Sequence, residues 1–268
     1  MHVEAQKTED YSTCQQVCYA LTSYNYVAAL VTLTCIFLVI SGIQFWITDY
    51  VVSVLQRSQK EAFIIYIIVG ALGPIHGVAV SGFVFDRIGG YHGRNTPLVF
   101  TSFLVAAGLF AACAVLTVRA YLVSLCLMLQ LFCGGITVPV VTGYMLAQLP
   151  PRLRTVGNSL AALFYNLLGF FPAPSIYGLA YQSCGSGANR CGLVSVQAAI
   201  LLGMLVLIPA VLRQRWKDNR ALQQRMFEAH ASKETTEPLL EPFDSLKSAA
   251  KSQHSDRLHD SDEMLVRA

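Results

Sequence analysis

The chain has 268 residues, of which 54% are hydrophobic and only 13% charged, with a formal net charge of +3 and a mean hydropathy of +0.50. Soluble domains carry about 25% charged residues, so a water-soluble fold is excluded and the chain is expected to live in a bilayer. A nucleic-acid partner is not expected.

Residues 1 to 20 mix Glu4, Lys7, Glu9 and Asp10 with polar residues and lack a basic start followed by a short apolar core, so no signal peptide is read there. Residues 1–23 are taken as a cytoplasmic N-terminal segment. Lysine, arginine, aspartate and glutamate are then absent from six long runs: 11 to 48, 62 to 85, 95 to 118, 120 to 151, 155 to 189 and 191 to 212. Each exceeds the ~20 residues that a helix needs to cross about 30 Å of hydrocarbon. The spans centre near Thr34, Gly73, Ala107, Cys133, Leu168 and Met204. Continuous apolar runs are unlike the alternating ~10-residue strands of a membrane barrel. The expected fold is therefore all-α and polytopic, with six transmembrane helices over residues 24–212. Beyond it, residues 213–268 read as a basic flank and a disordered cytoplasmic tail.

Lysine and arginine are retained on the cytoplasmic side of a membrane. One set of alternate connections holds Lys7, Arg87, Arg94, Arg152, Arg154, Arg213, Arg215, Lys217, Arg220 and Arg225; the other holds Arg57, Lys60, Arg119 and Arg190. Ten against four places both termini in the cytoplasm, with the bias led by the C-terminal cluster. The loops alone balance at four against four.

Cys35, Cys113, Cys126 and Cys133 lie inside spans, where a thiol behaves as a small apolar group. Cys184 and Cys191 flank the connection between the last two spans, on the non-cytoplasmic side of this topology. There either a disulfide or two free thiols is chemically allowed. The cluster Arg213, Arg215, Lys217, Arg220 and Arg225 suits anionic cytoplasmic lipid, and the polar residues from about 228 onward predict disorder. Glu237-Pro238-Leu239-Leu240-Glu241 resembles an acidic dileucine signal but lacks an acidic residue four positions before Leu239; it reads as a polar tail with two leucines. Plasma and endolysosomal membranes both fit. No Walker loop, HExxH, paired CxxC or nucleophile elbow is present, so neither an enzyme, a cofactor nor a metal is expected.

The most informative block is Gly82-Phe83-Val84-Phe85-Asp86-Arg87-Ile88-Gly89-Gly90, at the cytoplasmic end of the second span. Gly82 would admit a second helix at close range. Asp86 and Arg87 either terminate the helix as interfacial charges or exchange ion pairs as a conformational latch. Gly82, Asp86, Arg87 and Gly89, followed by Arg94, resemble the Gly-x-x-x-Asp-Arg-x-Gly-Arg-Arg signature of the major facilitator superfamily. Gly90 stands where the first closing arginine would be. Pro151-Arg152-Leu153-Arg154-Thr155-Val156-Gly157 is similar to the entry of the eleventh helix of those transporters. Phe171-Pro172-Ala173-Pro174-Ser175-Ile176-Tyr177-Gly178 is similar to that helix's exit. The pattern is most similar to the spinster-like branch, and Pro174-Ser175-Ile176-Tyr177-Gly178 before a cysteine-bearing loop is also similar to organic anion transporters.

That resemblance covers about residues 25 to 215 and implies twelve spans, of which this sequence holds six, in the order of the second half. The chain is thus expected to be an incomplete product, to assemble with a second six-helix half or as a homodimer, or to have lost transport. The resemblance implies latch contacts through Gly82, Asp86, Arg87, Gly89 and Arg94, and second-loop contacts through Arg152, Arg154 and Gly157.

A polar side chain facing lipid is costly, whereas one facing a watery cleft is not. Gln44, Asp49, His76, Gln130, Tyr144, Asn158, Tyr165, Asn166 and Gln197 are accordingly the candidate cavity wall. Asp49 is placed at the outer membrane surface in preference to a proton-coupling role. His76 is either a neutral partner of a neighbouring helix or a titrating group in the cleft. No lysine or arginine lies within a span, which suits a neutral, amphipathic or lipid-like solute better than a small anion. Two functions remain: a half of a secondary or facilitative carrier of a small organic or lipid-like solute, working by alternating access, and a non-transporting interaction or regulatory protein that keeps the same packing.

Overall fold

A computed structural model describes residues 13–90, 93, 95–185 and 190–266, with side chains described from 14 to 228 outside the two gaps. A short helix α1 (Thr13–Thr22) precedes α2 (Tyr24–Ser53), α3 (Gln59–Arg87), α4 (Thr96–Leu116), α5 (Ala120–Ala147), α6 (Pro151–Ser183) and α7 (Cys191–Val266). No strand occurs among the described residues. Helices α2 to α7 are each long and apolar enough to cross a membrane. The protein is an all-α, multi-pass integral membrane protein, as its composition predicts.

Two units divide the chain, Met1–Leu212 and Arg213–Ala268. The second is helical backbone as far as Val266, whereas composition predicts disorder from about 228. The difference has a local cause: Ala, Leu, Lys, Glu, Gln and Arg, all low-cost helix formers, recur along this segment. Leu239 and Leu240 lie outside the residues whose side chains are described. At the other end, the segment expected as a lead-in contains α1, which packs against α2 and the first turns of α6.

Within the first unit the helices divide into two triplets, α2–α4 and α5–α7, with α2 and α5 at the centre. Of their apolar stretches, 67% and 61% respectively are buried inside the chain. Packing between the triplets is reciprocal. Helix α3, the middle of the first triplet, lies on α5, and α6, the middle of the second, lies on α2. Small residues permit both contacts. A Cβ on Gly73 would fall 3.1 Å from the Met128 carbonyl oxygen, and one on Gly77 would collide with the Phe132 carbonyl oxygen. On the other side, a Cβ on Gly169 would fall 2.5 Å from the Thr34 carbonyl oxygen and 3.4 Å from the Leu38 nitrogen. The third helices repeat the pattern: α4 packs on α5, and Gly203 of α7 meets Cys35 and Thr32 of α2. Because three crossings separate their starts, the triplets run through the membrane in opposite senses.

Both middle helices are broken at the same place. α3 opens into a π-helical turn at Ile68–Leu72, two residues before Pro74; α6 does so at Tyr165–Phe170, two residues before Pro172. Proline has no N–H to donate and its ring crowds the carbonyl four residues back; a wider turn relieves that crowding. The Phe171 N–H accordingly donates to the Asn166 carbonyl, five residues back, at 2.9 Å. Proline alone does not force the break, since α5 carries Pro139 in its interior and stays α-helical.

Candidate functional site

Every outer helix exposes large apolar residues, among them Leu109 and Leu116 on α4, Leu201 and Leu205 on α7, Ile75 and Val78 on α3, and Leu163 and Leu167 on α6, which suits hydrocarbon. Helices α3 and α6 are the least covered of all, with only 17% of each apolar stretch buried, and alongside those apolar residues they expose His76, Asn158 and Asn166. His76 and Asn166 stand near the middle of their spans. His76 Nδ1 lies 2.7 Å from the Leu72 carbonyl oxygen, and Asn166 Nδ2 donates to the Ala162 carbonyl at 2.8 Å. Each side chain thus holds a backbone oxygen at the edge of the π-turn or beside it, and keeps further polar capacity on the exposed face.

Between α2, α3 and α6 lies a cleft of about 490 Å³ lined by Ser41, Gln44, Phe45, Tyr66, Phe170, Phe171 and Pro174. The Ser41 hydroxyl is already committed, donating to the Phe170 carbonyl at 2.8 Å. The Gln44 amide and the Tyr66 hydroxyl have no hydrogen-bond partner among the described residues, so they are the polar groups this wall offers. Phe45, Phe170 and Phe171 supply flat apolar surface. An aromatic layer backs the cleft: Phe37 stacks on Tyr165 at 4.3 Å, and Trp46 stacks on Tyr177 at 4.9 Å. Trp46 Nε1 donates to the Pro174 carbonyl at 3.0 Å.

Of the residues that sequence reasoning assigned to a cavity wall, Gln44 lines this cleft and Tyr165 stacks directly behind it. Three others are in the helix core. Gln130 of α5 and Gln197 of α7 are buried and bond each other amide to amide, at 2.6 and 2.8 Å, and Gln197 also lines a separate hollow of about 250 Å³ between α4 and α7. Tyr144 is buried with its ring 5.2 Å from Phe100. Polarity within a span therefore has two outlets, a watery face or a polar partner, and a reciprocal glutamine pair is the second. Asp49 is exposed in the last turns of α2, where the Ser53 hydroxyl donates to its carbonyl oxygen at 2.6 Å.

At the signature block, a Cβ on Gly82 would meet nothing within 4 Å, so the close helix approach expected there is absent within the described chain. Asp86 and Arg87 are exposed, and neither forms an ion pair among the described residues. The Arg87 guanidinium instead lies 4.2 Å from the centre of the Phe83 ring. Gly89 and Gly90 adopt φ of +96° and +66°, a region that costs any L side chain ~1–2 kcal/mol. That turn accounts for glycine at both positions. Arg94 lies outside the described residues.

The second loop is well fixed. Arg154 Nε donates to the Leu149 carbonyl at 3.3 Å, and Arg152 is exposed. The Gly157 carbonyl accepts the Tyr26 hydroxyl at 2.7 Å in a buried contact. A Cβ on Gly157 would collide with Leu149. Cys184 and Cys191 are disulfide-bonded, with Cα atoms 6.4 Å apart. The bridge holds Arg190 beside the end of α4, where its Nη1 donates to the Val115 carbonyl at 2.6 Å. A cation there favours a helix C-terminus.

Sequence reasoning missed Tyr66, Phe45, Phe170 and Phe171, which are ordinary apolar or aromatic letters in a span. The paired breaks did leave a signal, in the mid-span prolines Pro74 and Pro172. No family model and no curated protein sequence matches the chain.

Proposed function

We propose that the six helices form one half of a carrier that moves a neutral, amphipathic or lipid-like solute by alternating access, with the α2–α3–α6 cleft as its wall of the solute path. The single observation that carries this reading is that the two least covered helices are also the ones that expose polar side chains at mid-membrane depth and are broken by π-turns. A face bearing His76 and Asn166 is expensive against hydrocarbon. A second six-helix unit or a water-filled cleft between units removes that expense. Broken helices at corresponding positions of oppositely oriented repeats are the usual pointer to a solute site in secondary carriers. The block around Asp86 and Arg87, similar to the major facilitator signature, supports the same assignment, as does an open Gly82 that would accept a helix of the second unit. Both termini face the cytoplasm in this reading.

The cleft chemistry narrows the solute. It offers one amide, one phenol and several aromatic rings, with no charged side chain among its lining residues, so a small anion finds no anchor in this wall.

Single cysteines at position 166, at position 76 and at position 205, introduced after the native thiols outside the bridge are replaced by serine or alanine, test the assignment in native membranes. Asn166→Cys and His76→Cys are expected to react with a membrane-impermeant maleimide, while Leu205→Cys is not. Equal protection of all three would show that the α3/α6 face meets lipid and would remove the basis for the carrier. Uptake of a fluorescent lysolipid into proteoliposomes, lowered several-fold by Gln44→Leu, then tests the cleft itself. Labelling at 166 and 76 without uptake would instead identify a six-helix protein that keeps this face open to water without carrying solute.

A further inference from the structure

We propose that Cys113 and Cys126 form a second disulfide site, which joins α4 to α5 and is closed by thiol–disulfide exchange. Their Sγ atoms are 3.2 Å apart, with the Cys126 S–H directed at Cys113 Sγ. A disulfide has a sulfur separation of about 2.04 Å, so closure asks for an approach of roughly 1 Å. The two helices are held in place for it, since α4 ends at Leu116, α5 begins at Ala120, and they pack along their length.

Two further observations favour oxidation at this place. Spans alternate in direction, so the α4–α5 connection lies on the same side of the membrane as the α6–α7 connection, which already carries the Cys184–Cys191 bridge. A structural disulfide marks a compartment where such bonds persist. The two thiols also differ in access. Cys113 is exposed on the α4 face that carries Leu109 and Leu116, about 6 Å from the helix end at ~1.5 Å per residue, so a small disulfide reaches it only from the membrane boundary, whereas Cys126 is buried. The Thr117 hydroxyl lies 3.9 Å from Cys113 Sγ.

That asymmetry sets the order of events. Cys113, as thiolate, attacks a low-molecular-weight disulfide of the glutathione class. One sulfur–sulfur bond breaks and another forms, the first small thiol leaves, and a mixed disulfide remains on Cys113. Cys126 then loses its proton, attacks Cys113 Sγ and expels the second small thiol. Two protein thiols are oxidised by two electrons, the external disulfide is reduced to two thiols, and those thiols carry away the two protons. Cys113 is the entry thiol and Cys126 the resolving one.

The test uses the full chain in detergent with Cys14→Ser and Cys18→Ser, which leaves Cys35, Cys113, Cys126 and Cys133 as thiols outside the existing bridge. Alkylation after unfolding, read by intact mass, is expected to count four thiols before treatment with oxidised glutathione and two after it. Peptide mapping without reductant should show 113 joined to 126 within one chain. In the same background Cys126→Ser is expected to retain a stable glutathione adduct on Cys113, and Cys113→Ser to gain no adduct and no bridge. Four alkylated thiols after the oxidant would overturn the proposal. So would a bridge between chains, or an adduct on Cys126 in the Cys113→Ser variant.

Discussion

Gln130 and Gln197 exchange two hydrogen bonds, 2.6 and 2.8 Å long, between α5 and α7 in the core of the first unit. Each amide satisfies the other in a buried setting. Removing one partner strands the other, at about 1–3 kcal/mol, whereas replacing both by apolar groups of similar shape is close to neutral. Gln130→Leu and Gln197→Leu are each expected to lower the midpoint of thermal unfolding in mild detergent, and the double variant to recover most of the loss. If the single variants unfold like the parent, the pair is dispensable.

Tyr26 and Gly157 link α2 to the start of α6 through a buried hydroxyl-to-carbonyl bond of 2.7 Å. Tyr26→Phe removes the donor and leaves a buried carbonyl to one side, a change of about 1–3 kcal/mol. Gly157→Ala acts at the same contact through sterics, because its Cβ would collide with Leu149; overpacking of this kind costs about 1–3 kcal/mol. Both variants should show reduced resistance to unfolding in detergent. A wild-type melting profile for Tyr26→Phe would mean that the carbonyl finds another donor.

The glycines of α3 make opposite predictions although they stand five residues apart. Gly77 touches the α5 backbone, with the Gly135 Cα 3.0 Å from where its Cβ would be, so Gly77→Ala is expected to destabilise by about 1–3 kcal/mol. Gly82 faces open space, and in a helix alanine is favoured over glycine by up to about 1 kcal/mol. Gly82→Ala should leave folding unchanged or slightly improved. Thermal unfolding of the two variants side by side gives the comparison, and a loss of stability in Gly82→Ala would place a packed element there.

Much of this fold was legible because hydrocarbon imposes a simple rule on sequence. Charge-free runs of sufficient length mark spans, and the ends of α3, α4, α5 and α6 lie near the charged or Gly/Pro-rich connections that the rule indicates. The site was less legible. Gln44 and Gln130 are the same letter in the same kind of run, yet Gln44 lines the cleft and Gln130 pairs across a helix interface. The partner that decides this, Gln197, is 67 residues away, a separation at which sequence pattern carries no contact information. Tyr66 and Phe170 entered the cleft unannounced, because aromatic residues in a span look alike whether they face lipid, core or cavity. The tail differed for another reason: a polar composition predicts the absence of a packed core, and helical backbone does not require one.

Arg190 depends on a constraint two atoms of sulfur away. The Cys184–Cys191 bridge closes a short loop and in the chain-entropy account contributes about 2–3 kcal/mol. It also orients the guanidinium that bonds the Val115 carbonyl at 2.6 Å. Cys184→Ser with Cys191→Ser is expected to lower the unfolding midpoint more than Arg190→Gln does, since opening the loop also releases the arginine contact, whereas Arg190→Gln removes only that charge-assisted bond. The triple variant should lose little beyond the double, because the two changes act on one contact. Full additivity would show that the bridge and the arginine stabilise the protein independently.

Asp86 has no partner among the described residues, and Arg87 rests on Phe83 at 4.2 Å, so neither charge is needed for the fold of this unit. Surface substitutions away from packed features change stability by less than about 0.5 kcal/mol. Asp86→Asn is therefore expected to express and unfold like the parent. In the proposed carrier the same carboxylate meets the second six-helix unit in one conformation only, and a contact made in one state biases the equilibrium between two. Asp86→Asn should then lower uptake into proteoliposomes several-fold at unchanged expression, with Arg87→Gln acting in the same direction. Unchanged transport in both variants would leave the pair as interfacial charges that end α3, and the latch would have to be sought elsewhere on the α3/α6 face.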